Sequence, residues 1–177
     1  DVEKYFRAID AAGAGSNVVH LIPHGAIRRA VLGVEDREPT AEEMAKLKAL
    51  AKKAMDDGAW GMSTGLIYVP SRYGRTDELV ELAKLVRGYG GLYASHIRNE
   101  ESGLLDAVDE ALAIGERSGV PVHVSHLKAS GRRNWGKTAE ALKKIAAARA
   151  AGRVATADQY PYIASSTSLG AMVVPHW

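Results

Sequence analysis

The sequence predicts an α/β chain built on a parallel sheet. Two observations carry this. Short runs of β-forming residues alternate with longer segments of helical period, and several of the runs are apolar throughout, as strands covered by helices are. No linker or low-complexity stretch interrupts the alternation, so residues 1–177 are expected to form a single α/β unit.

The elements follow in order. The opening "DVEKYFRAID" is a charged amphipathic segment of helical character, unlike a signal peptide. Strands are predicted at 17–23 ("NVVHLIP"), 60–65 ("WGMSTG"), 92–97 ("LYASHI"), 121–127 ("PVHVSHL") and 154–160 ("VATADQY"). Helices are predicted between them. The first covers 40–57, where "TAEE" reads as a capping box, and the second covers 76–87, opening on "TDE". Two more cover 103–118 and 137–151, the last stopped by Gly152.

Composition excludes several classes of function. Lys and Arg number 23 against 21 Asp and Glu, and the net charge of +2 comes with no basic stripe interleaved with aromatics, so neither nucleic acid nor a membrane surface is an expected partner. The chain has no cysteine, which removes disulfides, thiolate metal sites and a cysteine nucleophile. No apolar run approaches the roughly 20 residues needed to cross a bilayer, and a cytoplasmic location is expected.

Two parallel architectures fit the alternation. A doubly wound nucleotide-binding sheet calls for a glycine-rich turn after its first strand, and "IPHGAIRR" contains neither phosphate-binding pattern. A (β/α) barrel of the TIM type instead gathers functional side chains at the carboxyl ends of its strands, where His24, Ser63, His96, His126 and Asp158 all fall. Five strands do not close an eight-stranded barrel, which takes about 250 residues. The expectation is therefore a partial TIM-type barrel with outer helices.

The third and fourth strands end alike, in "SHIR" and "SHLK". Their histidines, His96 and His126, are separated by about 30 residues, the length of one strand-helix-strand unit. Strand alternation puts His96 on a face with Leu92 and Ala94, and His126 on a face with Val122 and Val124. If those residues fill the barrel, His96 and His126 converge inward, while His123 points towards the helices as a hydrogen-bonded core histidine. Two neutral imidazoles on rigid strand ends suit a zinc ion, although hydrogen-bonded structural histidines would give the same pattern.

Four stretches, "STGLIYVPSRY", "ASHIRNE", "VPVHVSHLKASG" and "DQYPYIASSTSL", occur in an order that resembles the N-acyl-D-amino-acid deacylase (D-aminoacylase) branch of the amidohydrolase superfamily. The resemblance spans nearly the whole chain. It implies a zinc-dependent amide hydrolase acting on N-acyl-D-amino acids, with the five strands here corresponding to strands three to seven of the barrel. It implies His96 and His126 as metal ligands, and Tyr68, Lys128 and Tyr160 as substrate-binding residues with donors suited to a carboxylate or a developing oxyanion. Arg98 either grips substrate or pairs with Glu100 or Glu101. Ser165, Ser166 and Thr167 are placed to line the pocket after the fifth strand, and His24 to support it from behind.

The family's first-strand His-x-His pair, its metal-binding cysteine and its late general-base Asp have no counterpart here, and Asp158 does not replace that Asp. With no initiator Met and a terminus in "VVPHW", the chain is expected to be a central segment of a larger enzyme, with an incomplete site and exposed strand edges that favour self-association. Two other readings stay open: a non-catalytic half-barrel that associates with another chain, and a barrel lyase using Lys128 as a Schiff-base amine.

Overall fold

The structure, a computed structural model, describes residues 1–170; the terminal "VVPHW" lies outside the described residues. Helix α1 (Val2–Ala12) is capped by Asp1, whose carboxylate accepts the Lys4 N–H at 3.0 Å. After it come β1 (Ile22–Pro23), α2 (His24–Leu32), α3 (Ala41–Asp56) and β2 (Gly61–Gly65). A 3₁₀ turn at Ser71–Tyr73 leads into α4 (Thr76–Gly88), β3 (Leu92–His96), α5 (Leu104–Ser118) and β4 (Val122–Val124). A second 3₁₀ turn at Arg132–Asn134 precedes α6 (Lys137–Ala150) and β5 (Ala155–Ala157).

All five strands join one sheet in the order β1-β2-β3-β4-β5, every pair parallel. Each helix from α2 to α6 packs on the next, so the helices form one continuous layer against the sheet. Sequential parallel strands under one helical layer are the arrangement of a partial (β/α) barrel. The predicted capping box is formed: Thr40 Oγ1 accepts the Glu43 N–H at 3.2 Å, and the Glu43 carboxylate accepts the Thr40 N–H at 2.8 Å.

Three strands and one helix differ from expectation. The strands at 17–23, 121–127 and 154–160 are paired only over the short spans given above. At the β1 edge, His20 contributes a single bond, its carbonyl accepting the Trp60 N–H at 2.9 Å, and regular pairing starts at Ile22. Helix α2 is absent from the sequence reading. It starts at once after β1 and buries Ile27, Arg28 and Leu32, a stripe interrupted by a charged residue.

Register fixes which strand residues face the helices. Tyr93 pairs with Val122 and Ser95 with Val124, and these four are buried in the sheet–helix layer with Met62, Thr64 and Ala155. The polar members are satisfied there: Thr64 Oγ1 lies 2.9 Å from Tyr93 Oη and donates to Ser95 Oγ at 3.0 Å. Burial pushes the Tyr93 phenol up to about 12. Helix α5 reaches the sheet through Gly115, where an added Cβ would lie 2.3 Å from Val122 Cγ2.

Candidate metal centre

The opposite face of the sheet carries the candidate site. On this face Ala94 pairs with His123 and Gly65 with His96. His123 therefore does not point towards the helices, as strand alternation through 127 had implied. Its Nδ1 lies 2.8 Å from Thr156 Oγ1, and its Nε2 lies 3.0 Å from the Asp158 carboxylate. Val122 and Val124 are the helix-facing residues of β4.

His126 reaches the same face by a different route. Strand β4 ends at Val124, and His126 adopts φ 42, the one non-glycine residue with positive φ among the described residues. Such a conformation is uncommon for a residue with a Cβ and persists only where the surroundings impose it. Here Asp158 does so. Its carboxylate accepts the His126 N–H, its carbonyl accepts the Leu127 N–H at 2.9 Å, and its own N–H donates to the Val124 carbonyl at 3.2 Å. The bond from the His126 N–H holds the Asp158 carboxyl below the usual carboxylate range against the opposing effect of burial, and His123 adds to the lowering.

The turn aims the His126 ring at the end of β3. His126 Nε2 lies 2.9 Å from His96 Nδ1, the rings meeting edge-on with centroids 4.5 Å apart. Glu100, in the loop after β3, completes the group, with its Oε1 3.2 Å from His126 Nδ1 and 3.9 Å from His96 Nε2. His96, Glu100 and His126 are the group among the described residues whose ligand atoms lie close enough to share one metal ion, all within 4.8 Å of one another. Glu100 was read from the sequence only as a partner for Arg98. Its place four residues past His96, in "SHIRNE", was the available signal.

Lys128 bridges this group. Its ammonium donates to Glu100 Oε1 at 2.5 Å, to His126 Nδ1 at 3.0 Å and to the His126 carbonyl at 2.9 Å. Because an ammonium only donates, His126 Nδ1 must accept, which leaves the His126 proton on Nε2 facing His96 Nδ1. His96 then carries its own proton on Nε2, a buried atom with no hydrogen-bond partner. Burial drives the His96 imidazole down to about 4; Glu100 opposes this, and His126 and Lys128 add to it. His96 is thus neutral at physiological pH, the state a metal ligand requires.

The other sequence-derived candidates surround this cluster. Tyr68 stacks obliquely on His96 with ring centroids 5.1 Å apart, and its hydroxyl lies 2.8 Å from Thr167 Oγ1. Gly65 permits this approach, since a Cβ there would meet the Tyr68 ring at 2.8 Å. The Tyr160 ring lies under Lys128, 5.5 Å from Nζ, and its hydroxyl is buried without a partner. Ser165 lines a cavity of about 370 Å³ with Lys128 and Tyr160.

Arg98 pairs with neither Glu100 nor Glu101. It forms two bonds to Glu110, at 2.8 and 2.9 Å, and donates to the carbonyls of Arg72 and Gly74 at 2.7 and 2.9 Å. These bonds tie the loop that carries Tyr68 to the end of β3. From the other side, buried His24 holds the same loop. Its Nδ1 lies 2.7 Å from Ser71 Oγ and its Nε2 2.8 Å from Glu78 Oε1, while Arg28 binds the second Glu78 oxygen at 2.5 Å. Burial alone would push the Glu78 carboxyl up, but His24 and Arg28 outweigh it and bring it below the ordinary value.

The donor set fits zinc. Two imidazoles and a carboxylate at one strand-end cluster are typical of catalytic zinc, and the buried, unpartnered His96 Nε2 is an atom that a bound ion would satisfy once its proton has moved to Nδ1.

The chain resembles known proteins in sequence and in fold. No family model matches the chain. Among curated proteins it is 39% identical over 165 residues to a D-aminoacylase of Alcaligenes xylosoxydans xylosoxydans, covering 93% of this chain and 34% of that protein. It is 40% identical over 169 residues to an N-acyl-D-glutamate deacylase of the same organism, covering 96% of this chain and 35% of that one. Among solved structures, the N-acyl-D-glutamate deacylase of Bordetella bronchiseptica, complexed with zinc and a phosphonate inhibitor, superposes with a TM-score of 0.87 at 39% identity. That match covers 92% of this chain and 34% of the other. A D-aminoacylase described as defining a novel subset of amidohydrolases superposes at 0.86 with 36% identity, covering 92% of this chain and 34% of that one. Fold and sequence together define the chain as an amidohydrolase homologue. Within that class it is homologous to the N-acyl-D-amino-acid deacylases, and it spans about a third of the length of the curated relatives it matches.

Proposed function

We propose that this chain supplies part of the active site of a zinc-dependent hydrolase that removes the acyl group from N-acyl-D-amino acids. The observation that carries the proposal is the convergence of His96, His126 and Glu100 on one point, in a chain homologous to deacylases over nearly its whole length. A bound zinc would supply Lewis-acid polarisation of the scissile carbonyl and activation of water at neutral pH.

The chain's own residues account for ligation and for substrate contacts. His96 and His126 would hold the ion, with Glu100 as a further donor. Such a substrate carries a carboxylate, which needs a cationic partner, and Lys128 stands beside the metal group to provide it. The Tyr160 hydroxyl, buried and unpartnered, and the Tyr68 hydroxyl are donors for the polarised carbonyl. Arg98 is engaged by Glu110 and two carbonyls, so its contribution is to hold the loop bearing Tyr68. Asp158 is occupied by the His126 N–H and by His123, which leaves the proton-accepting group to be supplied from outside this cluster.

No observation favours the Schiff-base reading, because Lys128 Nζ is engaged by Glu100 and by two atoms of His126. Cytoplasmic residence and self-association through the sheet edges belong to the proposal and are tested by fractionation and by solution mass. No helix of the described residues is long and apolar enough to cross a membrane. The activity test is release of free D-amino acid from N-acetyl-D-amino acids by the zinc-loaded full-length protein. Activity on D but not L isomers, lost on chelation and restored by zinc, is the expected result; metal-independent turnover would overturn the proposal.

A further inference from the structure

Lys128 occupies the place that a cation would take. Its ammonium is 2.5 Å from Glu100 Oε1 and 3.0 Å from His126 Nδ1, and those two atoms are themselves only 3.2 Å apart. The Lys128 side chain is 18% exposed and that of Glu100 13%, so the pair is shielded enough for its attraction to count. An ammonium and a metal ion cannot share these atoms. A ligand nitrogen must present a free lone pair, and the His126 Nδ1 lone pair is engaged by Lys128.

We propose that Lys128 is the built-in competitor of the metal ion: it neutralises Glu100 and covers His126 Nδ1 in the metal-free protein, and metal binding releases it. This rests on the metal reading of His96, Glu100 and His126 given above. The released ammonium, still tethered two residues from His126, is then free to meet an anionic group. By linkage, an anion that draws Lys128 away from Glu100 also strengthens metal binding by the same factor. The metal-free site therefore holds a balanced charge, and the cation that balances it becomes the anion contact once the metal arrives.

The test uses the complete natural protein carrying this chain, stripped of metal and titrated with zinc. Replacing the ammonium with an uncharged chain of similar length, Lys128→Met, is expected to tighten zinc binding at least about tenfold, the scale of one charge-assisted hydrogen bond given up. Lys128→Arg keeps the charge and is expected to stay near wild type or weaker. A second readout needs no variant. Lys128 is acetylated with N-hydroxysuccinimidyl acetate and its labelling followed by mass spectrometry, with exposed Lys4 as internal reference. Zinc should raise Lys128 labelling several-fold relative to Lys4. Zinc affinity unchanged or weakened in Lys128→Met, with labelling unaffected by zinc, would overturn this proposal alone. Absence of any zinc binding that depends on His126 would overturn the metal reading, and this inference with it.

Discussion

His126 Nε2 lies 2.9 Å from His96 Nδ1, although the strand that carries His126 ends two residues before it. The ring reaches that point because the backbone turns into the left-handed region, with the Asp158 carboxylate holding the His126 N–H. The candidate site depends on that turn more than on the regular geometry of the sheet.

Asp158→Asn should therefore act on the metal group from a distance. It keeps the shape of the side chain but weakens the bond to the His126 N–H and the contact with His123. Zinc affinity is expected to fall by about 10–100-fold, the usual cost of losing a partner that orients a ligand. Zinc titration of the purified variant checks this, with circular dichroism confirming an intact fold.

The buried cluster of His24, Arg28 and Glu78 should govern stability at acid pH. Its carboxyl lies below the ordinary value of 4.5, so in the unfolded chain Glu78 takes up its proton at higher pH than in the folded one. The stability it contributes is complete above pH 4.5 and is lost as pH falls through the folded value. Urea midpoints measured across acid pH should show this loss, and Glu78→Gln should remove that part of the dependence. The same variant leaves the Arg28 charge buried and unpaired, at a cost of about 3–5 kcal/mol at neutral pH.

Gly115→Ala tests the seat of α5 on the sheet. The new methyl would overlap Val122 Cγ2 at 2.3 Å, and relief requires the helix or β4 to shift. A loss of about 1–3 kcal/mol is expected in chemical denaturation. A variant as stable as the parent would show that the helix layer is more compliant than its packing implies.

Strand order and the helices α3 to α6 were legible in the sequence because caps and apolar period agree along those segments. Thr40 with Glu43, and Gly152 after α6, mark boundaries that any reader of local chemistry would find. The direction of His123 was not legible. Alternation was carried through Val122–Leu127 as if the strand were continuous, whereas pairing stops at Val124 and a long-range carboxylate from Asp158 turns the chain. Helix α2 was hidden for a related reason: its buried stripe includes Arg28, whose charge is met by Glu78, 50 positions away. Glu100 was missed because a loop carboxylate has no periodicity to betray it, and only the fold brings it to His126.

The account stands on His96, Glu100 and His126 gathering one metal ion. The most direct measurement is a crystal structure of the zinc-loaded full-length protein with anomalous diffraction recorded on both sides of the zinc absorption edge. An anomalous peak about 2.0–2.1 Å from a ring nitrogen of both His96 and His126 is the predicted result. A zinc-loaded crystal with no peak there, or with the two imidazoles still hydrogen-bonded to each other and the ion elsewhere, would contradict it.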